Sequence, residues 1–222
     1  MALDYIAWLH RLREVAAGLA SRPINVSLTI GEPFSLEEMQ NEEAYFAGTT
    51  GIRGFKFHES LRTLYLATRS VSFRWQTRSG TSMLPMFGGM ELAPLALLYE
   101  ADPELNLSEP WHGHWRILDS WSTVTQTLIR FSENGTASLA FRSVEGGAES
   151  VRPLKLSLDE YFDLSLAACC LDSWALLFAS NSNVLSPEHI EDLYSALGDI
   201  SPPADLSALR RRRMQVADST SR

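Results

Sequence analysis

TQTLIRFSENGTASLAFR, residues 125–142, is the stretch that decides the fold. Two β-compatible runs flank Asn134-Gly135, a pair that tolerates the left-handed backbone of a type I′ turn. Leu128 and Ile129 lie in the first run, and Leu139 and Phe141 lie in the second. The pattern predicts an antiparallel hairpin. Further strands are expected on either side of it. Trp115 to Leu118 predicts one before the hairpin. A turn at Glu145-Gly146-Gly147 leads to another over Val151 to Leu156, where Pro153 points to a sheet edge or a bulge. Upstream, Val71, Phe73 and Trp75 alternate with Ser72 and Arg74, the mark of a strand with one buried face. Residues 79–89, SGTSMLPMFGG, read as a loop, and Pro94 is placed to open a short helix. An acidic loop is expected over 100–110.

The flanks have helical periodicity. Leu3, Ile6, Leu9, Leu12, Val15 and Leu19 recur at three- and four-residue steps, which predicts an amphipathic helix over 3–20. Ser35 and Glu38 have capping-box spacing and predict a helix up to Gly48, with a third over 59–68. Ser157 and Glu160 form a second capping box, opening a helix expected to run toward Ala179 with Leu158, Phe162, Leu166 and Cys169 or Cys170 inward. Ser186-Pro187-Glu188 opens another that should stop at Gly198. Helices, then strands, then helices indicate an α+β fold: an antiparallel sheet meander flanked by N- and C-terminal helices. Residues 1–200 are expected to form a single domain, with 201–222 a linker and a basic, disordered tail.

The 222 residues suit one domain able to bury a substantial core without a metal or disulfide. Apolar residues at 45% and charged residues at 21% do not match disordered, collagenous or coiled-coil classes. No run of 18 uncharged apolar residues predicts a membrane span. Asp4, His10, Arg11, Arg13 and Glu14 interrupt the first apolar positions, which differs from a secretory signal. Cys169 and Cys170, the only cysteines, are adjacent and are expected to be reduced and buried, as in a cytoplasmic protein.

The net charge of −8 is unevenly spread. Residues 79–115 carry five acids and no base, and residues 157–209 carry nine acids and no base. Arg210 to Arg213 then reverse the sign, and such a run reads as a solvated tail. Base-free acidic segments argue against nucleic-acid binding by the folded body, since phosphates require basic neutralisation. Surfaces of one sign instead steer a partner of the opposite sign, although acids also serve solubility alone. In the acidic loop, Glu100, Asp102, Glu104 and Glu109 lie close to Trp111. Carboxylates beside a large aromatic are a composition expected of a hot spot for a basic protein partner.

Enzymatic signatures are thin. In a strand, His112 and His114 would face one side and offer two imidazoles to a metal, but two histidines are too few for a specific site. Trp111 and Trp115 around them favour a packed aromatic segment. There is neither a Gly-x-Ser-x-Gly elbow nor a phosphate-binding Gly-x-x-x-x-Gly-Lys-Ser/Thr loop. The reading is therefore non-catalytic, with no metal and no cofactor.

Five stretches carry a family resemblance: FHESLRTLY (57–65), VSFRW (71–75), GGMELAPL (88–95), WRILD (115–119) and LKLSLDEYFDL (154–164). Over about residues 30–180 the chain resembles the SUKH superfamily, which includes a fungal cell-wall assembly regulator and many bacterial immunity proteins. The family often has Leu-Pro before its third helix and Asn-Gly-Gly after it, where this chain has Phe57-His58 and Arg69-Ser70. The resemblance implies an α+β binding scaffold without catalysis. It also implies a partner: a toxin from a neighbouring cell, often a nuclease and therefore basic. A regulatory scaffold with an endogenous partner is the alternative, and a metal-dependent hydrolase is a more distant one.

Overall fold

Helix α1 (Tyr5–Ala20) forms where the apolar stripe requires it, and the Asp4 carboxylate accepts the N–H groups of Ile6 and Ala7 at its start. Strand β1 (Ile24–Ile30) follows directly. No strand is expected there from the sequence patterns above, although Ile24, Val26, Leu28 and Ile30 alternate with polar residues. Helix α2 (Leu36–Thr50) starts at its capping box: the Ser35 N–H reaches Glu38 Oε2 at 2.8 Å, and the Glu38 N–H reaches Ser35 Oγ at 3.1 Å. The Ser35 N–H and then Arg69 pull the Glu38 carboxyl down to about 2. Helix α3 (Glu59–Ala67) buries Leu61, Leu64 and Tyr65. The computed structural model describes residues 3–50, 53–79, 85–98, 115–120, 122, 124–132, 136–145, 148–180, 186–200 and 206–218.

The architecture is α+β, with two antiparallel meanders in place of the one expected. Strands β1, β2 (Val71–Thr77) and β3 (Phe87–Glu91) form the first. Strands β4 (Arg116–Asp119), β5 (Thr125–Phe131), β6 (Ala137–Glu145) and β7 (Ala148–Leu154) form the second. The predicted hairpin is β5–β6, paired from Thr125↔Ser143 to Phe131↔Ala137. Its Asn134-Gly135 tip lies outside the described residues. Pro153 sits in the edge strand β7, where a missing N–H does little harm. Pro94 precedes a 3-10 turn at Leu95–Leu98. The two sheets meet where Leu92 bridges Asp119, the Ala93 N–H reaches Leu118 O at 3.0 Å and the Ser120 N–H reaches Glu91 O at 3.0 Å.

Three expectations need correction. Residues 87–89 are strand, not loop, because glycine there permits a close approach. A Cβ on Gly88 would sit 2.3 Å from the Cys170 carbonyl oxygen and 2.7 Å from the Trp75 indole. Helix α4 (Leu158–Ala167) keeps its predicted capping box but ends well short of Ala179. A turn at Cys169 and Cys170 and a 3-10 segment at Trp174–Phe178 follow it. Past α5 (Pro187–Ile200), helix α6 (Leu206–Asp218) occupies much of the expected tail. Leu209 is fully buried, and Arg212 Nε lies 2.9 Å from Glu160 Oε1 while its guanidinium also donates to Lys155 O. The arginine run is thus partly a packed helix face.

Aromatic packing locks α1 onto α4. Trp8 Nε1 donates to Phe162 O at 2.7 Å, and the Tyr5, Trp8 and Phe162 rings meet edge to face. Trp8 and Trp174 fill the core as expected. Among the described residues no helix is long and apolar enough to cross a membrane. The substitution Gly88→Ala is expected to cost about 3 kcal/mol or more, because both the Trp75 ring and the Cys170 carbonyl would have to move; the urea midpoint of the variant measures it, and an unchanged midpoint would refute the close-approach account.

Candidate partner-binding groove

The site residues inferred from sequence, Glu100, Asp102, Glu104, Glu109 and Trp111, lie outside the described residues, as do His112 and His114. The second base-free acidic segment, 157–209, is largely described and builds a groove of its own.

The turn after α4 shapes it. Cys169, Cys170 and Ser173 have φ of 49°, 50° and 60°, the three positive values among described residues other than glycine. Non-glycine residues pay a steric penalty there, so surrounding contacts must hold them. Those contacts are visible. Cys169 O accepts Trp75 Nε1–H at 2.7 Å, Cys170 O accepts the Gly89 N–H at 2.8 Å, and Phe87 O accepts the Asp172 N–H at 3.1 Å. The turn therefore runs along the outer edge of β3, with Leu171 bridging Gly88. Both cysteine side chains are buried. Burial, reinforced by Asp119, pushes the Cys170 thiol well above its usual range.

Behind the turn lies a buried polar cluster. A register shift between Ile117 and Asp119 interrupts the β4–β5 ladder, so that consecutive Leu118 and Asp119 are both buried. Asp119 Oδ1 accepts the Glu91 N–H at 2.7 Å, and Oδ2 accepts the Tyr161 O–H at 2.7 Å. Tyr161 also lies 3.0 Å from Thr127 Oγ1. Burial raises the Asp119 carboxyl to about 6, against the lowering effect of those two donors. Asp119, Thr125, Thr127, Tyr161 and Asp172 border a cavity of about 20 Å³, the scale of one water molecule and too small for a substrate.

On the opposite side of Leu171–Ser173 the surface opens into a groove of about 610 Å³. Its floor and walls include Met86, Phe87, Leu171, Leu176, Leu193 and Ala196. Among the described residues, Asp172, Asp192 and Asp199 are its charged lining residues, joined by His189, and neither lysine nor arginine lines it. Asp172 is fixed: Thr125 Oγ1 donates to its Oδ1 at 2.9 Å and Ser173 Oγ to its Oδ2 at 3.1 Å. Asp192 and Asp199 are exposed on α5. Ser186 Oγ and His189 Nδ1 are 2.9 Å apart, a spacing seen in nucleophile–base pairs, but the same Oγ accepts the His189 N–H at 3.3 Å and so acts as the helix cap. The sequence signal for this groove was the absence of bases from 157–209, which indicated its sign but not its walls.

The chain matches no family model, no curated protein and no solved structure. A carboxyl raised from 3.8 to about 6 by folding binds its proton more tightly in the native state. Its stabilising contribution is complete below about pH 4 and is lost as pH rises through about 6, on the order of 3 kcal/mol. Asp119→Asn keeps an acceptor for the Glu91 N–H and cannot ionise. Urea midpoints at pH 4.5 and 7.5 are expected to converge in this variant relative to the parent; an unchanged gap would refute the assignment.

Proposed function

We propose that the chain is a non-catalytic protein-binding module of the immunity type, which binds and neutralises a basic, nuclease-type bacterial toxin. The observation that carries this reading is the apolar groove whose charged lining, among the described residues, is acidic. A toxin that cleaves nucleic acid must carry bases for phosphate, and those bases are what an acidic face attracts. The base-free segments and the resemblance to the SUKH superfamily support the same reading. A regulatory scaffold for an endogenous partner would use the same groove, and the gene neighbourhood separates the two.

Where a basic toxin is encoded beside this chain, co-expression is expected to relieve its toxicity and give a complex weakened by salt. Reversing Glu100, Asp102 and Glu104 to lysine is expected to slow association at low salt while leaving the thermal midpoint within a few degrees. Undiminished toxicity in the co-expressing strain would refute the immunity reading, and unchanged association rates would remove residues 100–104 from it.

A further inference from the structure

We propose that the groove between α5 and the start of β3 receives a cationic amphipathic helix of the protein partner, an inference that rests on the protein-binding reading above and specifies which element docks. The shape of the site favours a helix. Lining residues on α5 run from His189 through Asp192, Leu193 and Ala196 to Asp199, the spacing of one helical face. That face is about 15 Å long at 1.5 Å per residue, close to three turns. Opposite it, Met86, Phe87, Leu171 and Leu176 complete an apolar trough of about 610 Å³. An amphipathic helix laid in such a trough buries side chains at positions three and four apart.

An extended strand is excluded by hydrogen bonding. Strand addition needs an open backbone edge, and at the groove the edge of β3 is already bonded to the turn: Gly88 bridges Leu171, the Gly89 N–H reaches Cys170 O, and the Asp172 N–H reaches Phe87 O. Side-chain packing and rim charge are what the site offers. Phe87 is 49% exposed at the mouth, an uncommon placement for a large aromatic.

The rim fixes the sign of the occupant. Asp172, Asp192 and Asp199 surround the apolar floor, and Glu188 and Glu191 extend the acidic face of α5. Two arginines stand nearby. Arg22 donates to the backbone carbonyl of Asp199 at 2.7 Å and tempers that end, and Arg210 lies 3.9 Å from Glu191 on the side of α6. The Asp172–Asp192 end is therefore where lysine or arginine of the incoming helix fits best.

The test uses the full chain and a fluorescent peptide of leucines and lysines, patterned to give one apolar helical face. Anisotropy at low salt is expected to show saturable binding. Affinity is expected to fall at least about tenfold in Asp192→Asn/Asp199→Asn, where both sites are exposed, and at least about tenfold in Leu193→Gln. A matched peptide with glutamate in place of lysine is expected not to bind. Unchanged melting curves show that each variant is folded. Equal binding of the glutamate peptide or indifference to the groove variants would overturn the proposal. The basic partner separates the two levels. A complex with it that ignores the groove variants ends the helix proposal and leaves the immunity reading standing. Lysine-peptide binding as expected, with toxicity unrelieved, supports the helix proposal and ends the immunity reading.

Discussion

One buried carboxylate holds the two halves of the molecule in register. Asp119 ends β4, accepts the backbone N–H of Glu91 from β3, and accepts the hydroxyl of Tyr161 from α4. Three elements distant in sequence thus converge on two oxygens. A buried carboxylate is costly unless its lone pairs are satisfied, so each donor is needed where it is. The irregularity at Leu118 is what points this side chain inward. With a regular ladder the alternation of faces would send Asp119 outward, and the joint between the sheets would lose its centre.

The turn from Cys169 to Ser173 carries this order to the surface. Its left-handed residues are sterically unfavourable in isolation, and the backbone bonds to Trp75 and Gly89 offset that cost. One face of the turn closes the polar cluster, and the other forms a wall of the groove. The rim carboxylate of Asp172 is held by a hydroxyl from β5. The groove is therefore anchored to the same core that joins the sheets, and its walls are preorganised.

Local signals were legible in the sequence. Both capping boxes, the β5–β6 pairing and the edge position of Pro153 follow from residues within a few positions of one another. Features that depend on distant contacts were not. Gly88 and Gly89 look like a loop until the Cys170 carbonyl is placed against them, and nothing in adjacent cysteines announces a left-handed turn. The arginines at 210–213 read as a tail because the buried Leu209 and the Glu160 carboxylate that hold α6 are invisible locally. The groove joins residues near 86, 172 and 193, so only its acidity was foreseeable. Strand β1 is legible in its alternation, bounded by Pro23 on one side and Gly31 and Pro33 on the other, so the local signal there is complete.

The adjacent thiols of Cys169 and Cys170 have a practical consequence. Each is about 1% exposed, and the Cys170 thiol is pushed well above its normal range, so neither is accessible to a labelling reagent in the closed molecule. Their rate of alkylation in native buffer therefore reports how often the junction between the sheets breathes, with no engineered label. A partner seated on the neighbouring wall should slow that clock.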